Sequence, residues 1–260
     1  EPGFEDSRSN HSSIIDGPVS LSEWPYSDEE WQEMLACVRG LYAPFDIRVT
    51  DIDPGQDSHF EAIVAGTPVE AGFFRAGGVA PFTCGVIENA ITYTFPTIFT
   101  TMTQICNVVG QESAHAFGLD HEMECADPLT YLGGCPIKAF QDVDAPCGEF
   151  VERPCSCGGD TQNSFVAIES LFGPGQVPQV TITEPTSGAA VQLGFAIRAQ
   201  AIDDHEVTRS ELWNGAHGVA HFAVPAARWA YQRTVSMLGH GGPARRTSRN
   251  ATPDCRPLGC

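Results

Sequence analysis

The chain has 260 residues, and 33 Asp and Glu against 14 Lys and Arg give it a formal net charge of −19. That balance excludes a nucleic-acid partner, because phosphate binding needs a basic face, and no apolar run is long enough to span a membrane. Ten cysteines (37, 84, 106, 125, 135, 147, 155, 157, 255 and 260) point to an exported protein, secreted, periplasmic or at the cell surface, whose thiols are oxidised to disulfides.

Residues 1–21 are rich in Ser, Asp, Gly and Pro and read as a flexible lead; no charged-then-apolar segment opens the chain, as after removal of an export signal. Ser27 and Glu30 form a capping-box pattern, and Trp31, Met34, Leu35 and Val38 recur at helical spacing, so a helix is expected over 28–41. Alternation of apolar and polar residues predicts strands over 45–50 and 60–65. Between them Asp51, Asp53 and Asp57 offer a candidate calcium loop that lacks the full EF-hand pattern and reads better as an acidic surface turn. His59 is expected to face solvent at a strand start. The glycine-rich run 72–81 reads as loop, 86–95 as strand, and a helix starts near 96–100 and continues into 111–117.

That last helix carries the one stretch in which metal-ligand residue types recur at a spacing that fixes geometry. Gln111 and His115, at i and i+4, project from one face with Glu112 beside them. Gly118 permits the left-handed turn that ends the helix, so His121 can swing back toward the same point.

Gln111-Glu112-Ser113-Ala114-His115-Ala116-Phe117-Gly118-Leu119-Asp120-His121 resembles the metzincin zinc-peptidase signature HExxHxxGxxH at every specified position except the first, where Gln111 replaces histidine. Asp127-Pro128-Leu129-Thr130-Tyr131 is similar to the Met-turn of the astacin and serralysin branches, with Leu129 in place of methionine. The resemblance covers residues 22–173. It implies an α+β zincin domain with a twisted mixed sheet and an active-site helix, Zn2+ held by Gln111, His115 and His121, Glu112 as general base and Tyr131 at the oxyanion. The substrate it implies is a protein or peptide.

Past residue 131 the chain is irregular and cysteine-rich. Cys147, Cys155 and Cys157 suggest a structural zinc site as the rival to disulfides, but paired CxxC spacing is missing. Phe165, Ile168, Leu171 and Phe172 predict a helix over 161–173 that Gly173 stops. Residues 174–178 read as a linker, and alternating segments over 179–225 look like a partial bacterial immunoglobulin-like β module. In 226–260 the composition changes: six of the 13 arginines fall there and Asp254 is the one acid after Glu211, which reads as an atypical basic tail, disordered or out of frame.

Two functions follow. In one the chain is a secreted zinc endopeptidase. In the other it is a binding or adhesion protein on an inactive metzincin fold, favoured by Gln111 and attached through the immunoglobulin-like part. No GxSxG elbow supports a serine nucleophile. The sequence assigns no oligomeric state.

Overall fold

Ser27 sets the first helix. Its hydroxyl accepts from the Glu30 N–H while the Glu30 carboxylate accepts from the Ser27 N–H, a reciprocal cap that starts α1 (Asp28–Tyr42). The same device at Thr101 and Gln104 starts α2 (Met102–Ala116). Trp31, Met34, Leu35, Val38, Leu41 and Tyr42 form the buried face of α1, and the Cys37–Cys106 disulfide joins it to α2.

The computed structural model describes residues 1–135, 137–176, 179–187, 189, 190, 198–202, 209–214, 217–223, 234–239 and 258–259. Its first unit spans Glu1–Pro174 and Tyr231–Cys260. There β1 (Ile47–Thr50), β2 (Phe60–Val64), β3 (Gly78–Ala80), β4 (Ile91–Thr94), β12 (Thr234–Gly239) and β13 (Leu258–Gly259) make one sheet in the order β1-β12-β2-β4-β3-β13. β2 and β4 are parallel, with Glu61 opposite Ile91, and β3 runs antiparallel to β4, with Gly78 opposite Thr94. A small sheet of β5 (Ala145–Gly148), β6 (Glu152–Arg153) and β7 (Thr161–Gln162) has β5 at its centre, and α3 (Ser164–Phe172) follows, capped by Asn163. The class is mixed α+β.

The main core gathers Tyr42, Phe45, Ile105, Val109, Phe117, Leu129, Phe140 and Ile168 from the helices and the connecting segments. A second cluster of Ile15, Leu21, Val79, Ile91, Tyr93 and Phe95 lies on the sheet. It carries a correction: residues 1–21 are not a loose lead. Glu5 accepts from the N–H groups of Ser13 and Ile91, and Ile15 and Leu21 bury their side chains, so apolar burial and a carboxylate bonded to distant backbone order the segment despite its polar composition. His59 is also buried rather than solvent-facing, its Nδ1 2.7 Å from the Asp57 carbonyl. The glycine-rich run read as loop contains β3, formed by pairing with β4.

The stretch read as a disordered tail supplies β12, antiparallel to both β1 and β2, and β13 beside β3; residues 226–233 and 240–257 lie outside the described residues. Among the described residues of the second unit, Gly175–Ala230, there are two antiparallel pairs. These are β8 (Gln179–Glu184) with β9 (Arg198–Ile202), and β10 (Arg209–Asn214) with β11 (His217–Ala223). Of the alternating segments expected over 179–225, residues 188, 191–197, 203–208, 215–216 and 224–225 lie outside the described residues.

Candidate metal centre

The last two turns of α2 are buried on all sides, which places Gln111, Glu112 and His115 inside the domain. The helix stops at Gly118 for two reasons. Its φ is +93°, and a Cβ there would stand 3.0 Å from the Gly85 nitrogen, so only glycine meets both the left-handed backbone and the close approach. Beyond this turn the Leu119 carbonyl accepts from His115 Nδ1 at 2.7 Å. The chain then returns His121 to the helix, with its Nε2 3.0 Å from His115 Nε2.

The hydrogen bonds assign the tautomers. A carbonyl only accepts, so His115 Nδ1 carries a proton and Nε2 keeps its lone pair. Burial pushes the His115 pKa down to about 3, with His121 adding to the effect, so the ring is neutral across the physiological range. His121 Nδ1 lies 3.0 Å from Glu149 Oε1. Arg153 holds that carboxyl down at about 2, so it is ionised and accepts, leaving His121 Nε2 also with a lone pair; burial lowers the His121 pKa too. Two lone pairs facing each other at 3.0 Å repel unless a cation lies between them. A tetrahedral zinc bound at about 2.0–2.1 Å to each nitrogen would space them by about 3.3 Å, so this donor pair fits such an ion. Gln111 lies one turn before His115 on the same helix. It is 4% exposed, and its Nε2 is buried without a hydrogen-bond partner.

Glu112 is fully buried against β3: a Cβ built on Gly78 would meet its Cγ at 2.6 Å and its Oε1 at 2.7 Å. The ring of Tyr131 tilts over that of His121 at 4.4 Å between centroids, with Phe150 5.7 Å beyond it. Leu129 is fully buried, its N–H bonded to Asp127 Oδ1 and its carbonyl to the Glu122 N–H, so the turn closes back beside His121. Leucine fills nearly the volume of methionine, which makes that exchange mild. The structure thus brings together His115, His121 and Tyr131, and buries Gln111 and Glu112 on the helix that carries His115.

Sequence reasoning missed the charges behind His121. Asp120 Oδ1 accepts from the His121 N–H at 2.8 Å, and Asp120 Oδ2 from the Ser156 N–H at 2.7 Å. Arg153 donates to both Asp120 oxygens at 2.7 Å and to Glu149 Oε1 at 2.7 Å. Burial opposes ionisation of Asp120, but Arg153 and Ser156 hold its pKa well below the carboxylate range. Glu149 and Arg153 form an i,i+4 charge pair in sequence; nothing local says that they meet a histidine 28 residues earlier.

Asp120, His121 and Glu149 also satisfy the spacing of a metal-ligand cluster. The Arg153 guanidinium already bridges both carboxylates there, so this cluster is an ion-pair network and not a second cation site. A further missed pair is Glu122 and Asp127, both fully buried. Burial, and then the neighbouring Asp127, push Glu122 up to about 9.

Among the described residues the disulfides are Cys37–Cys106, Cys84–Cys157, Cys125–Cys135 and Cys147–Cys155. They pair the three cysteines considered for structural zinc and so remove that alternative. In the acidic turn, Asp51 accepts from the Trp31 indole and Asp53 from the Gly55 N–H; among the described residues its acids form no ligand cluster. No described helix is long and apolar enough to cross a membrane. No protein-family model, curated protein or solved structure matches the chain.

Proposed function

We propose that this chain is a secreted zinc-dependent endopeptidase of the metzincin type, in which Gln111, His115 and His121 would hold the ion. The observation that carries the reading is the His115–His121 pair, with Nε2 atoms 3.0 Å apart and both Nδ1 atoms committed elsewhere. Zinc held there would supply Lewis-acid chemistry, lowering the pKa of a bound water and polarising a peptide carbonyl. Glu112, three residues before His115, takes the proton of the attacking water and hands it to the leaving amine. Tyr131, stacked beside His121, donates its hydroxyl to the oxyanion that develops on the carbonyl. The four disulfides among the described residues support export, and the second unit, read as a partial immunoglobulin-like module, serves attachment or targeting.

Gln111 favours a second reading, a binding or adhesion protein on an inactive metzincin fold, because a neutral amide is a poorer zinc ligand than imidazole. Zinc analysis of the purified protein, together with peptide cleavage by wild type and Glu112→Ala, separates the two. Stoichiometric zinc with cleavage that disappears in Glu112→Ala supports the peptidase. Zinc without cleavage supports the binding protein. Near-zero metal after zinc loading overturns the peptidase.

A further inference from the structure

We propose that Glu149, held by Arg153, is the positioning residue for His121: it fixes the imidazole in the Nδ1–H tautomer with Nε2 aimed at His115, and so strengthens the better of two donors in a site whose third ligand is an amide. The effect on metal rests on the zinc reading above; the effect on the tautomer does not.

His121 is gripped at two points. Its backbone N–H donates to Asp120 Oδ1 at 2.8 Å and its ring Nδ1 to Glu149 Oε1 at 3.0 Å. A single guanidinium joins the grips, since Arg153 bonds both oxygens of Asp120 at 2.7 Å and reaches Glu149 through Nη2 at 2.7 Å and Nε at 3.2 Å. The Gly148 N–H also donates to the His121 carbonyl at 3.0 Å, so the residue next to Glu149 holds the same histidine. His121 therefore has its backbone and ring fixed by one short segment, 148–153.

The two histidines differ in what stands behind them. His115 gives its Nδ1 proton to a neutral backbone carbonyl and His121 gives its own to a carboxylate. A carboxylate on the far nitrogen draws the proton toward itself and raises the basicity of the near one, and removing such a partner typically costs about 10- to 100-fold in metal affinity. Arg153 tempers this by sharing the carboxylate's charge, yet it also keeps Glu149 from turning inward to become a ligand.

The test uses the intact protein labelled with 15N in its histidine rings, without metal, as wild type, Glu149→Gln and Glu149→Ala. Neither variant removes the Arg153–Asp120 bridge, and unchanged melting curves would show that the fold is kept. Wild type should show His121 protonated at Nδ1. Glu149→Gln, which keeps an acceptor oxygen, should retain that tautomer, and Glu149→Ala should give a mixture of the two. The zinc dissociation constant should rise about 10- to 100-fold in Glu149→Ala and by less in Glu149→Gln. A His121 tautomer unchanged in Glu149→Ala, or Nε2–H already in wild type, overturns the proposal. Absence of zinc binding by wild type overturns the peptidase reading, while the tautomer result still decides the role of Glu149.

Discussion

Replacing Gly78 by alanine perturbs the place where β3 meets the helix α2. The added Cβ would stand 2.6 Å from Glu112 Cγ, 2.7 Å from Glu112 Oε1 and 2.7 Å from Val108 Cγ1, whereas nonbonded carbons settle at about 3.5–4.0 Å. Relief requires β3 or the Glu112 side chain to give by about 1 Å. Overpacking of this kind costs about 1–3 kcal/mol, which at about 2–4 °C per kcal/mol for a domain of this size lowers the melting temperature by roughly 2–12 °C. On the peptidase reading, a 1 Å displacement of the base lowers kcat on the order of a hundredfold. Thermal denaturation and peptide cleavage are the assays. Gly40→Ala is the control: a Cβ there meets nothing within 4 Å, and an alanine inside α1 should stabilise by up to about 1 kcal/mol. Adding Glu112→Ala to Gly78→Ala should recover much of the lost stability, because two of the three opposing atoms are then gone. If Gly78→Ala matches wild type in both assays, Glu112 does not lie against β3 and the placement of the base is wrong.

Gln111→His should tighten zinc binding about tenfold or more, as an imidazole replaces a neutral amide; an unchanged dissociation constant would mean that position 111 does not face the metal. Glu122 carries a raised pKa of about 9, so the folded chain holds a proton that the unfolded chain has released above its ordinary value near 4.5. Its contribution to stability is therefore greatest at low pH and falls as pH rises toward 9, by up to about 1.4 kcal/mol per unit. Urea unfolding of Glu122→Gln should show that slope flattened relative to wild type, and parallel curves would refute the buried acid. Reduction should cost a few kcal/mol for each bridge lost, and thiol titration of denatured, unreduced protein should find the eight cysteines between 37 and 157 blocked; six or more free thiols would contradict the pairing.

What could be read from the sequence was local. The reciprocal cap at Ser27 and Glu30 is a four-residue pattern, and α1 begins where it says. Glu112, His115, Gly118 and His121 could be read because helical period and a glycine stop convert spacing into direction, and the structure does bring the two imidazoles together. What escaped depends on residues far apart in the chain. β3 is three residues in a glycine-rich run and becomes a strand through pairing with β4 and β13. The opening 21 residues are polar in composition but are ordered by Glu5 reaching the Ile91 N–H and by two buried apolar side chains. Glu149 and Arg153 look like an ordinary surface pair until the fold sets them behind His121. Strand β12 carries no warning in composition at all, since its pairing with β1 and β2 joins residues nearly two hundred positions apart.

The two long disulfides interlace. Cys84 falls inside the loop closed by Cys37–Cys106, and Cys106 falls inside the loop closed by Cys84–Cys157, so together they span residues 37 to 157 without a gap. A single backbone cut anywhere in that span leaves both fragments tethered through sulfur. A protein that works among peptidases, or cleaves its own neighbours, would then keep its helix and its second histidine in one covalent unit after being nicked. On a gel such a molecule would run as one band without reductant and as two with it.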